Sequence, residues 1–433
     1  MCCRVASQST TLPREDALAW RVVWTLTLCT SLSLLGDATL YAVLPSHLEV
    51  LGITALQVGW LLSVNRLSRL PLNLPSGWLS NRIGHKTPYI LGLAIGALST
   101  AGYGLTQSFW LLLLLRILWG IAWALLVVAA YGLILEASTK ETRGRLVGTY
   151  ASFSFFGGAV GAMLGGFLVD ERGFAEAFII LGVCSALACA LALTLPKRQR
   201  PPAPVDPSSG WDEGTVPPLG DPPHRRSWAL QGLGRLTGRA KRVWLVWSLN
   251  LAHRFFFAGI FYATFGYYLR YVLGDQIHWA GVTIGIASLT ATLLFVRNGI
   301  TVLAGPILGY LSDRLGDRRR VLLLGEILGV LGLTSLAASR SLWVLGVGVT
   351  LVAVAYGIVP SMLMAWLGDL GRQGEREQLV GAYQTMGDLG SGLGPLAAYS
   401  LVTGLGPQTV YLLGAGLLSI TIPLIIRARR WES

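Results

Sequence analysis

The sequence predicts an all-α membrane protein in which twelve transmembrane helices form two pseudo-symmetric six-helix bundles. Of the 433 residues, 53% are hydrophobic and 13% are charged, with a mean hydropathy of +0.58, whereas a soluble domain carries about 25% charged residues. Apolar runs of helix length recur along the chain, and two blocks of sequence occur twice at a nearly constant separation. The composition indicates a bilayer protein, and the duplication is typical of a carrier made of two related halves.

Twelve apolar runs have the length of about 20 residues that a helix needs to cross a bilayer. They cover residues 20–44, 56–79, 88–107, 109–135, 146–169, 174–195, 243–268, 280–308, 320–338, 342–367, 378–402 and 408–426. We therefore expect an N-terminal bundle over 20–195 and a C-terminal bundle over 243–426. Residues 1–19, which lack the apolar core of a signal peptide, and 427–433 are predicted tails. Residues 196–242 are rich in proline and then basic, which predicts a linker.

The net charge of +12 follows the predicted topology. With the N-terminus inside, 26 of the 34 Lys and Arg residues lie in the tails, the linker and the loops of that same side. Positively charged loops stay on the cytoplasmic side of a membrane. We therefore expect a multi-pass protein of the inner or plasma membrane with both termini cytoplasmic. This distribution accounts for the basic charge without a nucleic-acid partner.

Two repeated blocks divide the chain into halves. GWLSNRIGHK, which begins at Gly77, aligns with GYLSDRLGDR, which begins at Gly309, at a separation of 232 residues. RLVGTYASFSFFGGAVGAMLGG, which begins at Arg145, aligns with QLVGAYQTMGDLGSGLGPLAAY, which begins at Gln378, at a separation of 233 residues. Because both blocks repeat at nearly the same separation, the two halves are predicted to share one architecture.

The first block resembles the loop motif of the major facilitator superfamily, G-x-x-x-D-R-x-G-R-K, in both halves of the chain. The resemblance implies a cytoplasmic gate that is locked in the outward-facing state. Its residues here are Gly77, Asn81, Arg82, Gly84, Lys86, Gly309, Asp313, Arg314 and Gly316, with the flanking Glu136, Arg143, Asp369 and Arg376. Asn81 stands where the family has an aspartate. We therefore expect a weaker latch at Asn81 than at Asp313.

Other motifs are similar to those of the drug:proton antiporter branch of this superfamily. Gly36-Asp37-Ala38 and Leu115-Arg116 resemble its first and fourth helices, and the fifth and eleventh helices match its antiporter motif, with Ala162 in place of the proline. The residues of this predicted helix-bend motif are Gly157, Gly161, Gly165, Gly394 and Pro395. The resemblance implies a secondary active transporter that exports a small molecule by alternating access, with protons as the coupling ion.

Asp37 and Arg116 are the predicted proton-coupling residues. An unpaired ionisable side chain at bilayer depth costs at least ~2.5–3.5 kcal/mol, so each such residue needs a partner or a function. The resemblance places an exchangeable carboxyl group at Asp37, which Arg116 would hold ionised in one state and release in another. The alternative is a permanent salt bridge from Asp37 to Arg116 or to Arg66.

Arginines outnumber acids inside the predicted helices and indicate a charged substrate cavity. Five arginines against two aspartates favour an anionic or zwitterionic substrate, and Glu326 is expected to pair with the cytoplasmic arginines instead. The predicted cavity residues are Arg66, Arg69, Tyr41, Trp123, Arg254, Arg297, Asn298, Gln384 and Asp388. The alternative for Arg66 and Arg69 is a structural ion pair with an acid on a neighbouring helix. His253 is either a titrating group or a packing residue.

Three functions are compatible with these features. The first is proton-coupled efflux of a small organic solute. The second is an exchanger or importer of an organic anion, with Arg66, Arg254 and Arg297 holding a carboxylate or phosphate ester. The third is a membrane receptor or assembly protein that kept the fold without transport. Since the sequence has no phosphate-binding loop and no metal-ligand spacing among its five cysteines, we expect a monomer without cofactor or metal, and not an enzyme.

Overall fold

Almost all of the described chain is helical. The computed structural model describes residues 12–139, 142–196, 238–279, 281–315, 318–338, 340–370 and 376–427. The N-terminal half contains α1 (Leu12–Val43), a 3-10 turn (Leu44–Ser46), α2 (Leu48–Leu51), α3 (Ala55–Leu67), α4 (Arg69–Ile83), α5 (Lys86–Leu105), α6 (Phe109–Ala137), α7 (Arg143–Arg172) and α8 (Phe174–Ala192). The C-terminal half contains α9 (Gly238–His253), a π-helical segment (Arg254–Phe261), α10 (Tyr262–Leu273), β1 (Gln276–Trp279), β2 (Val282–Gly285), α11 (Ile286–Leu315), α12 (Arg318–Ala338), α13 (Leu342–Leu370), α14 (Arg376–Ser419) and α15 (Thr421–Arg427). Of the predicted linker, residues 197–237 lie outside the described part.

Twelve membrane crossings follow from these helices. Ten helical stretches of the described residues are long and apolar enough to span a bilayer. One of them, Leu379–Arg427, covers 49 residues and is interrupted at Gly406, whose φ of 75° leaves the helix, so it makes two crossings. The remaining crossing consists of α3 and α4, whose 13 and 15 residues are too short to count separately. The predicted all-α membrane fold is therefore confirmed.

The second crossing consists of two helical segments, although the sequence predicts one helix there. Ser68 separates α3 from α4 but keeps helical dihedral angles, with φ −65° and ψ −22°. Pro71 accounts for the interruption of the hydrogen-bond pattern, because it lacks the N–H that a continuous helix requires and its ring excludes the carbonyl group four residues earlier. Arg66 and Arg69 lie on either side of this interruption.

Both copies of the loop motif are mainly helical, so the helices extend beyond the predicted span ends at residues 79 and 308. α4 continues to Ile83, and only Gly84, with a φ of 82°, and His85 leave the helix before α5 begins. In the second copy α11 continues to Leu315. A basic residue lies in the last turn of α4 and of α11, where the helix dipole favours positive charge.

A β-hairpin precedes α11, where the sequence predicts helix from residue 280. β1 and β2 pair in antiparallel fashion, with Gln276 opposite Gly285. The β-branched run 282–284 favours extended structure, so the eighth crossing begins only at Ile286. The first and seventh crossings begin earlier than predicted, since α1 starts at Leu12 and α9 at Gly238.

The two ends of the molecule differ in how the halves meet. We call the end with the β-hairpin the hairpin side, and the end with the Gly84 turn and the residues flanking 197–237 the linker side. The largest cluster of buried side chains contains residues of both halves, among them Tyr41 and Phe265. Two further clusters lie toward the linker side and belong to one half each, one around Tyr89 and the other around Trp366. The halves therefore share a core toward the hairpin side and have separate cores toward the linker side.

Polar contacts also join the halves on the hairpin side. Arg270, in α10, donates from Nη1 to the carbonyl oxygen of Ser46 at 2.8 Å and pairs with Glu49 at 3.0 Å. Asp170, near the end of α7, accepts a hydrogen bond from the backbone N–H of Ser288 at 2.7 Å. Together with the shared core, these contacts close the hairpin side.

Candidate functional site

A buried ion pair lies at the centre of the N-terminal half. Arg116 Nη1, in α6, lies 2.5 Å from Asp37 Oδ1, in α1; Arg116 is fully buried and Asp37 is 7% exposed. Asn65 Nδ2 donates to the same carboxylate oxygen at 3.2 Å, and Arg116 Nε donates to the carbonyl oxygen of Leu61 at 2.9 Å. Three helices, α1, α3 and α6, therefore converge on the carboxylate of Asp37.

The Asp37 carboxylate is largely shielded from bulk water. The Arg116 guanidinium and the Asn65 amide take the place of water around it. The two charges and the amide therefore form one buried polar network that joins three helices.

Arg69 lies between the Asp37 network and an aromatic surface. Its Nη2 donates to Asn65 Oδ1 at 3.0 Å, and its guanidinium carbon lies 5.2 Å from the ring centroid of Trp123 and 5.8 Å from that of Trp119. The two indole rings stack at 5.6 Å. These cation–π contacts stabilise a charge that has no carboxylate partner among the described residues.

Arg66 contacts the boundary between the two halves. Its Nε donates to Tyr41 Oη at 3.2 Å, and Tyr41 in turn donates to the carbonyl oxygen of Leu62 at 3.0 Å. The Tyr41 ring lies 5.5 Å from the ring of Tyr262, which belongs to α10 of the other half. In the described part of the chain Arg66, like Arg69, is not paired with an acid.

Arg297, in α11, is almost fully buried at 4% exposure. Its guanidinium carbon lies 4.0 Å from the ring centroid of Tyr356 and 5.8 Å from that of Tyr262, and Nη1 donates to Asn298 Oδ1 at 2.9 Å. Apart from the interaction of the guanidinium with Tyr356, its Nε and Nη2 are buried without a hydrogen bond of ordinary geometry among the described residues. The imidazole of His253 stacks on Tyr356 at 5.5 Å, and its two nitrogens are likewise unpartnered in the described chain.

The other predicted cavity residues lie closer to the linker side. Arg254 is half-buried at the start of the π-helical segment, a structure that often occurs at functional sites. On α14, Asp388 is half-buried and Gln384 is exposed. Asp388 interacts electrostatically with Arg69 across the boundary between the halves. The predicted set therefore lies on helices of both halves around one central region.

Glu326 does not pair with the cytoplasmic arginines, so that prediction is wrong. The residue is fully buried in α12, and its Oε2 accepts a hydrogen bond from Thr421 Oγ1 at 3.2 Å. Its other oxygen is buried without a partner among the described residues. The reason is helical geometry: Glu326 lies about two turns beyond Arg318 and faces α15 inside the bundle.

Two ion pairs on the linker side occupy equivalent positions in the halves. His85 Nδ1 lies 2.9 Å from Glu136 Oε1, and Arg318 Nε lies 3.2 Å from Asp369 Oδ2. Both members of the second pair follow those of the first by 233 positions. Each pair joins the start of one helix to the end of the next within a single half, as expected for duplicated structure.

The remaining gate residues are described in part. Lys86 Nζ donates to the carbonyl oxygen of Leu193 at 2.7 Å, and the Arg82 guanidinium covers the Trp78 ring at 4.1 Å. Gly77 is half-buried and Arg314 is exposed. The side chains of the other gate positions lie outside the described part of the chain, namely Asn81, Arg143, Gly309, Asp313, Gly316 and Arg376. The weaker latch at Asn81 therefore stays a prediction.

The glycines of the helix-bend motif allow close packing between helices. On α7 the motif glycines contact successive turns of α1, at the pairs Gly157–Ser31, Gly161–Leu35 and Gly165–Thr39. On α14, a Cβ atom at Gly394 would lie 2.5 Å from Gly259 Cα and 2.6 Å from the carbonyl oxygen of Phe255. The following Pro395 approaches Gly59 of the other half. No larger residue fits at Gly394 without displacement of the π-helical segment.

Sequence reasoning missed three residues that the structure brings into the site. Asn65 is hydrogen-bonded to both Asp37 and Arg69. Its position four residues before Arg69 places the two side chains on one helix face, and this spacing could have predicted their contact. Tyr262 was one of many aromatic residues in the seventh crossing. Tyr356 was a hydroxyl group in an otherwise apolar helix, and nothing in the sequence shows which cation it meets.

The fold and the site together define a membrane carrier with a central polar region and one closed side. The sequence profile of the Major Facilitator Superfamily matches residues 26–300 and 255–431. The chain therefore belongs to the Major Facilitator Superfamily. The predicted multi-pass membrane fold and the resemblance inferred from the loop and antiporter motifs are confirmed.

Curated relatives match parts of the chain. The vesicular acetylcholine transporter unc-17 of Caenorhabditis elegans is 32% identical over 147 residues, which are 34% of this chain and 28% of that protein. The quinolone resistance protein NorA of Staphylococcus aureus is 26% identical over 161 residues, which are 37% of this chain and 41% of that protein. The tetracenomycin C resistance and export protein of Streptomyces glaucescens is 26% identical over 174 residues, which are 39% of this chain and 32% of that protein. The matched stretches thus span less than half of these relatives.

Solved structures share the fold over nearly the whole chain. The nucleoside transporter NupG superposes with a TM-score of 0.69 at 14% identity, over 94% of this chain and 98% of that protein. The human organic anion transporter MFSD10 superposes with a TM-score of 0.59 at 18% identity, over 94% of this chain and 99% of that protein. At these identities the likeness shows the fold alone.

Proposed function

We propose that this protein is a proton-coupled exporter of a small organic solute, with Asp37 as the proton site and Arg116 as its regulator. The observation that carries the proposal is the buried Asp37–Arg116 pair at 2.5 Å, held by three helices of one half. A fixed ion pair at this depth gives no net stability over apolar packing, so a role in coupling explains its presence. The names of the staphylococcal and streptomycete relatives support the direction of transport.

The transport cycle follows from the two sides of the molecule. In the state described here the hairpin side is closed, and Arg116 pairs with Asp37. A solute enters the central region from the linker side, and rocking of the halves opens the hairpin side. There the solute leaves and a proton binds Asp37; the return to the present state brings Arg116 back and expels the proton toward the linker side.

The proposal includes the location of the protein. It lies in the inner or plasma membrane as a monomer, with both tails and the predicted linker 196–242 in the cytoplasm. The excess of Lys and Arg in these segments supports this orientation. The linker side is then cytoplasmic, and the state described here faces inward.

The test replaces the proton site without changing its size. In everted vesicles with an imposed pH gradient, Asp37→Asn should lower uptake of a fluorescent quinolone at least tenfold, because the amide cannot exchange a proton. Binding of the same compound to the purified variant should remain measurable. Glu176→Gln is the matched control, since Glu176 is exposed and pairs only with Arg172 on the surface. Uptake by Asp37→Asn equal to that of the control would refute the coupling role.

A second function, transport of an organic anion, is favoured by the unpaired arginines around Tyr262 and Tyr356. The sign of the coupling separates the two. Asp37 interacts electrostatically with Arg66, so protonation of Asp37 strengthens the attraction for an anion, and the two would move in the same direction. Exchange of solute for protons instead requires that binding of the solute and protonation of Asp37 exclude each other. The direction of the pH change that accompanies solute entry into proteoliposomes distinguishes cotransport from exchange.

A further inference from the structure

Arginines from opposite halves meet around the same two tyrosines. Arg66 comes from α3 and Arg297 from α11, and both interact electrostatically with Tyr262 and with Tyr356. The chain of contacts runs from Arg66 to the Tyr41 hydroxyl at 3.2 Å, from the Tyr41 ring to Tyr262 at 5.5 Å, and from Tyr262 to Arg297 at 5.8 Å. Two like charges, one from each half, thus lie near the same pair of aromatic rings at the boundary between the halves.

The hydrogen-bonding capacity of these cations is largely unused. Arg297 is only 4% exposed, and apart from its interaction with Tyr356 its Nε and Nη2 make no hydrogen bond of ordinary geometry in the described part of the chain. Arg254 Nε and both nitrogens of His253, which stacks on Tyr356, are also buried and unpartnered there. Buried donors are normally satisfied, and each unsatisfied one costs free energy. A ligand with several acceptor oxygens would remove this cost.

We propose that Arg66 and Arg297 form a subsite for the oxyanion of the transported solute, with the rings of Tyr262 and Tyr356 as its walls. The chemical class is an aromatic compound that carries a carboxylate, sulfonate or phosphate group. A planar guanidinium binds two oxygens of such a group at once, and the tyrosine rings provide faces on which an aromatic ring of the solute stacks.

The position of the subsite links ligand binding to the closure of the halves. Without an anion, the positive charges of Arg66 and Arg297 repel each other across the boundary. An oxyanion between them replaces that repulsion with two attractions, one from each half, and favours the arrangement in which both arginines reach it. Asp37, an acid that interacts electrostatically with Arg66, is held by Arg116 and does not serve as this anion.

The inference rests on the proposed transport function and adds the substrate class. If transport is proton exchange, the solute must also compete with the proton at Asp37, so it carries a cationic group and is a zwitterion. If transport is cotransport, the solute is a simple anion. In both cases the oxyanion occupies the same subsite.

The experiment compares two probes of nearly equal shape, 2-naphthalenesulfonate and the uncharged 2-naphthalenesulfonamide, by isothermal titration calorimetry on the full-length protein in detergent. The wild type should bind the sulfonate at least tenfold more tightly than the sulfonamide. Arg297→Gln and Arg66→Gln should each weaken sulfonate binding by about 10- to 100-fold, the loss of one charge-assisted contact. Sulfonamide binding should stay within about twofold in each variant, which also reports that the variant is folded.

Control variants make the result specific. Arg172→Gln removes an exposed arginine, 58% accessible, that pairs with Glu176 on the surface, and it should bind both probes as the wild type does. Arg297→Lys keeps the charge but not the bidentate geometry and should lie between wild type and Arg297→Gln.

Either of two outcomes overturns the subsite: a wild type that does not prefer the sulfonate, or variants at Arg66 and Arg297 that keep the preference. The proposed coupling fails separately. If Asp37→Asn retains pH-driven flux while the wild type prefers the sulfonate, the proton-coupling role of Asp37 is refuted and the oxyanion subsite is still supported.

Discussion

The Asp37–Arg116 pair predicts strong energetic coupling that a double-mutant cycle measures. Arg116 is fully buried and Asp37 is 7% exposed, with 2.5 Å between the charged atoms. Removal of one partner of a buried pair leaves an uncompensated charge and costs about 3–5 kcal/mol, whereas removal of both is often close to neutral. Asp37→Asn keeps a hydrogen-bond acceptor for Asn65, so its destabilisation should lie at the lower end of this range. Arg116→Gln also leaves the carbonyl oxygen of Leu61 without its donor and should lie at the upper end.

Thermal unfolding in detergent, followed by tryptophan fluorescence, is a suitable assay. For a chain of this length about 1 kcal/mol corresponds to roughly 2 °C or less in Tm, so the single variants should unfold at most about 6–10 °C earlier than the wild type. The double variant should be clearly more stable than the sum of the single effects predicts, with a coupling energy of about 2–4 kcal/mol. Additive effects, with a coupling energy below about 0.5 kcal/mol, would show that the two charges do not depend on each other.

Two further predictions concern packing and conformation. Gly394→Ala should destabilise the protein by about 1–3 kcal/mol, because the new Cβ would lie 2.5 Å from Gly259 Cα. The control is Gly404→Ala, whose new Cβ has no neighbour within 4 Å and which should be neutral or stabilising. Equal Tm values for the two variants would contradict the close packing at Gly394. Arg270→Gln removes the contacts of Arg270 with Ser46 and Glu49 across the hairpin side. Ser46 is buried at 3% exposure, so a maleimide should label Ser46→Cys about fivefold or more faster in the Arg270→Gln background than with Arg270 present. An unchanged labelling rate would show that these contacts do not hold the hairpin side closed.

Much of the architecture is predictable because it depends on local composition. Apolar length specifies each crossing, and the repeat at 232 and 233 residues specifies the two halves. The deviations have local causes that the apolar pattern does not contain. Pro71 interrupts the hydrogen-bond pattern of the second crossing, and the β-branched residues before Ile286 form a strand instead of a helix.

The candidate site was predictable only as a set of charged positions. That Asp37, Arg66, Arg116 and Arg297 need partners follows from the cost of a charge in the bilayer. Which partner each one meets depends on helix rotation and on contacts between residues far apart in the chain. Glu326 shows this, since it bonds Thr421, 95 positions away, and not the arginines on its own helix.

The sequence by itself determined the class of this protein, its duplicated halves and the depth at which its charges lie, because hydropathy and helical periodicity act within short stretches of chain. Only the tertiary structure decided that Asp37 pairs with Arg116, and that Arg66 and Arg297 converge on Tyr262 and Tyr356 with neither arginine ion-paired to an acid among the described residues. The physical reason is that these contacts join helices whose relative rotation is set by packing of the whole bundle, as at Gly161 against α1 and Gly394 against the π-helical segment.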